Sequence, residues 1–232
     1  SPGGVPDQVA ADGSFFACLG SDGRLRLYHG GTGQELPGPV ANIRNFVISA
    51  DGRWILFATA GGAGVYEVGG GEQFHIGTGT VTAMAFSSDG RFAAAGFESG
   101  SLTVQDLAQR SRPLEVAIQP GAMSALTFMP DGKTLVAGGR DGMVRFLNVP
   151  TWREVGRIPG STPVKHLKAQ PGRKALFVQT GTGARLLSVG AEGEPLVPLS
   201  CEGGFWEDPS RLAQRLKASM PRASLPTSAL LR

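Results

Sequence analysis

The sequence predicts an all-β fold made of five copies of one four-stranded antiparallel unit, each of about forty residues. Three observations carry this reading. An Asp-Gly turn recurs at Asp12-Gly13, Asp51-Gly52, Asp89-Gly90 and Asp131-Gly132, at intervals of 39, 38 and 42 residues, and Pro171-Gly172 follows Pro130 by 41 in the fifth copy. Short apolar runs flank each turn on both sides. After a second, Gly-rich turn, residues alternate apolar and polar, as in a strand with one buried face.

The elements of one copy follow in order. First strands run from Ile43 to Ile48, Val81 to Phe86, Met123 to Phe128 and Val164 to Ala169; their apolar columns are Ile43, Val81, Met123, Val164 and Phe46, Met84, Leu126, Leu167. Second strands, rich in small and apolar residues, are expected at Phe15 to Leu19, Trp54 to Thr59, Phe92 to Gly96, Thr134 to Gly138 and Ala175 to Gln179. Third strands alternate, as in Arg24-Leu25-Arg26-Leu27 and Met143-Val144-Arg145-Phe146. A loose hairpin and a weak fourth strand complete each unit. One such sheet cannot hide both faces alone, so the units must stack about an axis. Leu135 and Phe146, in apolar columns of the most regular copy, are predicted core residues.

Phe86-Ser87-Ser88-Asp89-Gly90-Arg91 and Phe128-Met129-Pro130-Asp131-Gly132-Lys133 resemble the Phe-Ser-Pro-Asp-Gly-Lys turn of the WD-repeat β-propellers. Gly138-Gly139-Arg140-Asp141-Gly142-Met143-Val144-Arg145 resembles that family's Ser-x-Asp-Gly-Thr-Val-Arg stretch. The resemblance spans roughly residues 5 to 200 and implies a propeller of four-stranded blades, at about 4–40, 41–79, 80–120, 121–160 and 161–200. The Trp-Asp pair ending the third strand is replaced by Tyr28-His29, Tyr66-Glu67, Gln105-Asp106, Leu147-Asn148 and Leu187-Ser188, and no Gly-His dipeptide precedes a first strand. The family's hydrogen-bonded tetrad is therefore expected to be absent, with apolar packing carrying more of the stability.

Five copies leave the ring's closure open. The first copy begins on its first strand, Val5 to Val9, and the fifth supplies its own fourth strand near Leu196 to Leu199, so no sealing strand is visible. More blades in a longer parent, a small five-bladed ring, or an open arc completed by a partner all fit, and exposed strand edges favour some form of cover. The opening Ser1-Pro2, without Met, reads as a fragment or a processed product.

Residues 201–232 leave the repeat. Asp208-Pro209 offers an N-cap and a first-turn proline, and Leu212, Leu216 and Met220 recur every four residues, predicting an amphipathic helix over about 209–219. It is expected to dock on the propeller's side or on a partner; beyond Pro221 the composition reads as irregular. From 209 onward the chain carries Arg211, Arg215, Lys217, Arg222 and Arg232 and no acid, leaving 17 basic against 19 acidic residues elsewhere. A near-neutral body gives no reason to expect nucleic-acid binding. No apolar run approaches a membrane span, and a cytoplasmic location with Cys18 and Cys201 reduced is the simplest expectation, although a ring that brings its ends together would admit a disulfide.

Chemistry is sparse. His29, His75 and His166 are the only histidines; His29 reads as a hydrogen-bonded blade residue, His75 as an exposed fourth-strand residue, and His166, on a first strand, as the best ligand candidate of the three. None pairs at metal-ligand spacing, and two distant cysteines make no zinc site. Gly61-Gly62-Ala63-Gly64 and Gly69-Gly70-Gly71 read as hairpin turns, since neither Lys-Ser/Thr nor a helix follows. No metal, cofactor or catalytic residue is expected. The family resemblance implies a non-catalytic interaction platform or scaffold that binds a protein, or another domain of its parent, through rim loops and blade edges. Asp22, Glu98, Arg140, Asp141, Lys165 and His166, with Asn42 and Arg44, sit where those loops are expected, and Arg211 and Arg215 on the tail helix. Two alternatives stand beside this: a regulatory or substrate-presenting module of an enzyme encoded upstream, and a structural subunit of a large assembly.

Overall fold

The computed structural model describes residues 8–9, 13–39, 42–118, 121–170, 175–189 and 195–199. They form five antiparallel sheets of four strands, each sheet in simple chain order. Blade 1 holds β1 (Gln8–Val9), β2 (Phe15–Leu19), β3 (Leu25–His29) and β4 (Glu35–Leu36). Blade 2 holds β5 (Ile43–Ile48), β6 (Trp54–Thr59), β7 (Gly62–Glu67) and β8 (Gln73–Thr78). Blade 3 holds β9 (Val81–Phe86), β10 (Phe92–Phe97), β11 (Ser101–Asp106) and β12 (Leu114–Ala117). Blade 4 holds β13 (Met123–Phe128), β14 (Thr134–Gly139), β15 (Val144–Asn148) and β16 (Glu154–Ile158). Blade 5 holds β17 (Val164–Ala169), β18 (Ala175–Thr180), β19 (Ala184–Val189) and β20 (Pro195–Leu199). No helix occurs among the described residues; the tail, with Arg211, Arg215 and the expected helix over 209–219, lies outside them, as do residues 5–7 of the expected first strand and Pro171-Gly172.

The Asp-Gly turns of blades 2 and 3 are built alike. In blades 2 and 3 the Ser49 and Ser87 hydroxyls donate to Asp51 and Asp89 (2.5 Å each) and accept the N–H of Trp54 and Phe92. The same carboxylates accept the N–H of Arg53 and Arg91 at 3.1 Å. Each turn is thus locked by a side chain at either end, which is why Asp is needed there.

Successive blades share one apolar cluster each. Phe15, Ala17, Leu25 and Leu27 of blade 1 meet Ile43, Phe46, Ile55, Phe57 and Tyr66 of blade 2. Trp54, Leu56 and Val65 meet Ala93, Ala95 and Phe97. Phe92, Ala94, Leu102 and Val104 meet Leu126, Leu135, Ala137 and Leu147. Val136, Val144 and Phe146 meet Val164, Leu176, Val178 and Leu187. Alternate residues of each second strand therefore face opposite neighbours, as a period of two requires. The predicted core residues Leu135 and Phe146 are both fully buried. β1, β5, β9, β13 and β17 pack successively side by side, and the Ser124 hydroxyl donates to the Val164 carbonyl at 2.6 Å across β13 and β17.

One expectation needs correction, and a second gains a part that apolar packing does not supply. Gly62 to Gly64 are strand residues in β7, not turn; a Cβ on Gly64 would stand 2.4 Å from the buried Phe57 ring, so glycine here makes room for a core aromatic. The loss of the Trp-Asp tetrad is not made good by apolar packing alone. Arg53 donates through Nε (3.1 Å) and Nη2 (2.9 Å) to Glu67, and Arg91 likewise (3.1 and 2.8 Å) to Asp106. The carboxylate in the family's Asp column thus binds the arginine after the Asp-Gly turn, tying second to third strand.

A further device joins blades. The turns after β3, β7, β11 and β15 each close by an N–H to the carbonyl four residues back, from Gly33, Gly71, Arg110 and Trp152. All four residues adopt positive φ, at 69°, 70°, 46° and 57°. Glycine does so freely, whereas a side chain there costs about 1–2 kcal/mol. In return Arg110 reaches into blade 2, pairing with Glu67 (2.7 Å) and Glu72 and lying 5.8 Å over the Trp54 ring. Trp152 packs edge-on against Phe92 of blade 3 at 5.3 Å and Phe128 of its own blade at 6.5 Å.

Candidate partner-binding face

The turns between second and third strands, and the crossings between blades, gather at one end of the sheets. Backbone hydrogen bonds fasten them: Ile43 N–H to Gly23 (2.8 Å), Gly79 to Gly61 (3.1 Å), Glu98 to Thr80 (2.9 Å) and Arg140 to Ala122 (3.0 Å). The hydroxyls of Thr162 and Thr182 lie 3.3 Å apart in the same relation. Asp22, Glu98, Arg140 and Asp141 all occupy these turns, as the sequence predicts.

First strands enter this rim through a repeated irregularity. In β5, β9, β13 and β17 the register slips by one residue, inserting Arg44, Thr82, Ser124 and Lys165 at equivalent positions. Such a bulge re-aims a side chain and is a common feature of barrel and sheet rims. Thr82 turns back, its hydroxyl donating to the Gly96 carbonyl (3.2 Å), and Ser124 Oγ lies 3.1 Å from the Gly138 carbonyl beside its shorter bond to Val164. Arg44 and Lys165 are exposed. The sequence signal for this column is a polar residue directly after the first apolar column, present in all four strands but meaningless without the register.

The rim charges divide into two kinds. Asp22 binds Arg26 and Asp141 binds Arg145, each at 2.6 Å and four residues apart. The Arg26 hydrogen bond, aided by the Arg24 N–H, holds the Asp22 carboxyl below its ordinary range. Burial pushes Asp141 up, but the Arg145 and Met143 hydrogen bonds outweigh it and the net shift is downward. These two acids are occupied. Arg44, Glu98, Arg140 and Lys165 are exposed and form no ion pair among the described residues, leaving three cations and one anion. His166 does not join them: it pairs with Gln179 in register, on the side of blade 5 turned away from blade 4. His29 accepts the N–H of Gly31 (3.2 Å) and Thr32 (3.3 Å), a turn role, and His75 is exposed on β8. Among the described residues no three His, Cys, Asp or Glu side chains converge, and no helix is long and apolar enough to cross a membrane.

The family model for the WD domain, G-beta repeat, matches residues 72–106 and 116–148. The first match runs from the fourth strand of blade 2 to the end of the third strand of blade 3, and the second spans the next such unit. The chain is 30% identical over 82 residues to Periodic tryptophan protein 2 homolog of Schizosaccharomyces pombe, covering 35% of this chain and 10% of that protein. It is 27% identical over 121 residues to Protein ANTHESIS POMOTING FACTOR 1 of Arabidopsis thaliana, covering 50% of this chain and 37% of that protein. The chain thus matches only a minor part of the length of either relative. WD repeats in general mediate protein–protein interaction and scaffolding, and are in general non-catalytic. Two repeats match that model directly and five blades share one design, which supports a place for the chain in the WD-repeat family.

Proposed function

We propose that this chain is a non-catalytic binding platform whose rim receives an acidic segment of a partner protein or of another domain. The observation that carries this is the bulge column: equivalent rim positions, one per blade in blades 2 to 5, of which Arg44 and Lys165 are exposed cations, joined by Arg140 on the turn of blade 4. Cations on a rigid scaffold steer an oppositely charged partner and fix its register more than they add raw affinity. The small turns and the hydrogen bonds between them hold the rim, so little ordering is needed on binding. The test is affinity capture from cells with the chain and with its Arg44→Glu/Arg140→Glu/Lys165→Glu variant, circular dichroism confirming the fold. Partners retained by the parent chain should be lost by the variant and weakened by salt. An unchanged set of partners would refute the rim as the site.

A further inference from the structure

The junction of blades 2 and 3 and that of blades 3 and 4 follow one plan, with a different residue in one place. In the first, Phe74 on β8 stands opposite Val65, is half-buried, and meets the Trp54 ring edge-on at 6.3 Å. In the second, Leu114 on β12 stands opposite Val104 in the same column, and Phe92 takes the place of Trp54. Leucine is too short to cover that ring. Leu114 is 47% exposed, the most exposed large apolar residue among the described ones. A cleft of about 310 Å³ opens there, lined by Phe92, Trp152 and Leu114. That is the lower end of the range for ligand pockets, about 300–1,000 Å³. The Arg91 guanidinium lies 4.8 Å from the centre of the Phe92 ring and pairs with Asp106 at 2.8 Å, so those two charges cancel. Arg112, which also lines the cleft, is exposed and forms no ion pair among the described residues, leaving one positive charge over. Every lining residue is described, and blades 3 and 4 both have a described blade packed on either side.

We propose that this cleft is a second binding site, which takes an aromatic side chain from an extended segment of a partner protein, with a carboxylate residue beside it. The incoming ring does for Phe92 and Trp152 what Phe74 does for Trp54: it covers ring surface that the chain's own residue leaves open. Ring edges and a guanidinium line the site, and both favour an aromatic occupant over an aliphatic one. Arg112 meets the neighbouring carboxylate, the pairing by which arginine recognises acidic motifs. The cleft lies beside the turns between third and fourth strands, 107–113 and 149–153, at the end of the sheets opposite the rim. It therefore stands or falls independently of the rim's partner.

The test selects phage-displayed random peptides on the immobilised full chain, with counter-selection on Leu114→Phe, which puts the residue of blade 2 into the same column. Selected peptides should share an aromatic residue within two positions of Asp or Glu. A fluorescein-labelled peptide from the selection, followed by fluorescence polarisation, should lose about 10–100-fold in affinity on Leu114→Phe, the worth of burying one aromatic side chain. Arg112→Glu should weaken it by about tenfold and remove its sensitivity to salt. The Arg44→Glu/Arg140→Glu/Lys165→Glu rim variant should bind that peptide as the parent chain does, so the failure of one site is told apart from the failure of the other. Circular dichroism checks each fold, and Leu114→Tyr replaces Leu114→Phe if the latter proves unfolded. No peptide that separates the parent chain from the filled variant, selected peptides without an aromatic residue, affinity unmoved by Arg112→Glu, or binding lost in the rim variant would each overturn the proposal.

Discussion

Trp152 gives the sharpest test of how neighbouring blades are joined. Its side chain is 8% exposed and contacts Phe92 and Phe128 edge-on, so truncation to alanine removes a buried aromatic and two ring pairs. Loss of a buried Trp costs about 3–5 kcal/mol, ring pairing included. Its φ of 57° adds an unusual second term. Alanine keeps the left-handed penalty of about 1–2 kcal/mol, whereas glycine is relieved of it. Trp152→Gly should therefore be less destabilising than Trp152→Ala by about 1 kcal/mol, the reverse of the order expected at an ordinary strand or helix position. For a domain of this size the alanine variant should melt roughly 6–20 °C lower, and the glycine variant a few degrees above it. Thermal and urea unfolding of the three proteins, followed by circular dichroism, decide the matter. If glycine is as harmful as alanine, the turn does not demand a left-handed residue; if alanine is harmless, the tryptophan does not bridge the blades.

Other outcomes follow from the same geometry. Glu67→Gln weakens the charge-assisted bonds to Arg53 and Arg110 and should lower stability by about 1–2 kcal/mol in urea titrations, a figure kept small because both arginines are partly solvated. Gly64→Ala places a methyl carbon 2.4 Å from the Phe57 ring and should cost about 1–3 kcal/mol by the same measurement, while an unchanged midpoint would mean the ring has room to move. Asp141 and Asp106 both titrate below their ordinary value, burial opposing and the Arg145 and Arg91 hydrogen bonds prevailing. Their contribution is full above the unfolded carboxylate value of about 3.9 and is lost as pH falls through the lower folded value, because the unfolded chain takes up protons first. Acid unfolding curves should therefore steepen below about pH 4, and Asp141→Asn should flatten that slope without changing its sign.

The strand ladder was largely legible because its signals are local. Apolar columns beside a turn that needs Asp and Gly define β5, β9, β13 and β17 to the residue. What escaped the sequence is what depends on register or on distant pairing. Arg53 lies 14 residues from Glu67 and Arg91 15 from Asp106, so only the paired sheet shows that they meet. Both arginines follow the Asp-Gly turn and both acids end a third strand, a correlation visible in hindsight. Arg110 and Trp152 stand where glycine is the expected residue, and nothing nearby in the chain announces the side chains they touch. His166 was placed on the right strand but not on a face, since a single bulge at Lys165 reverses the alternation that follows it.

That bulge has an effect on how the protein can change. Ile43, Val81, Met123 and Val164 keep apolar side chains at the strand start, while the next residue is Arg44, Thr82, Ser124 or Lys165, four chemistries in four equivalent places. The inserted residue faces no partner across the ladder, so its size and charge are decoupled from the packing one step away. Substitutions at Arg44 and Lys165, which are exposed, can change the charge that the rim presents while the melting temperature stays put, whereas Thr82 and Ser124 spend their hydroxyls on the carbonyls of Gly96 and Val164 and are bound to the fold.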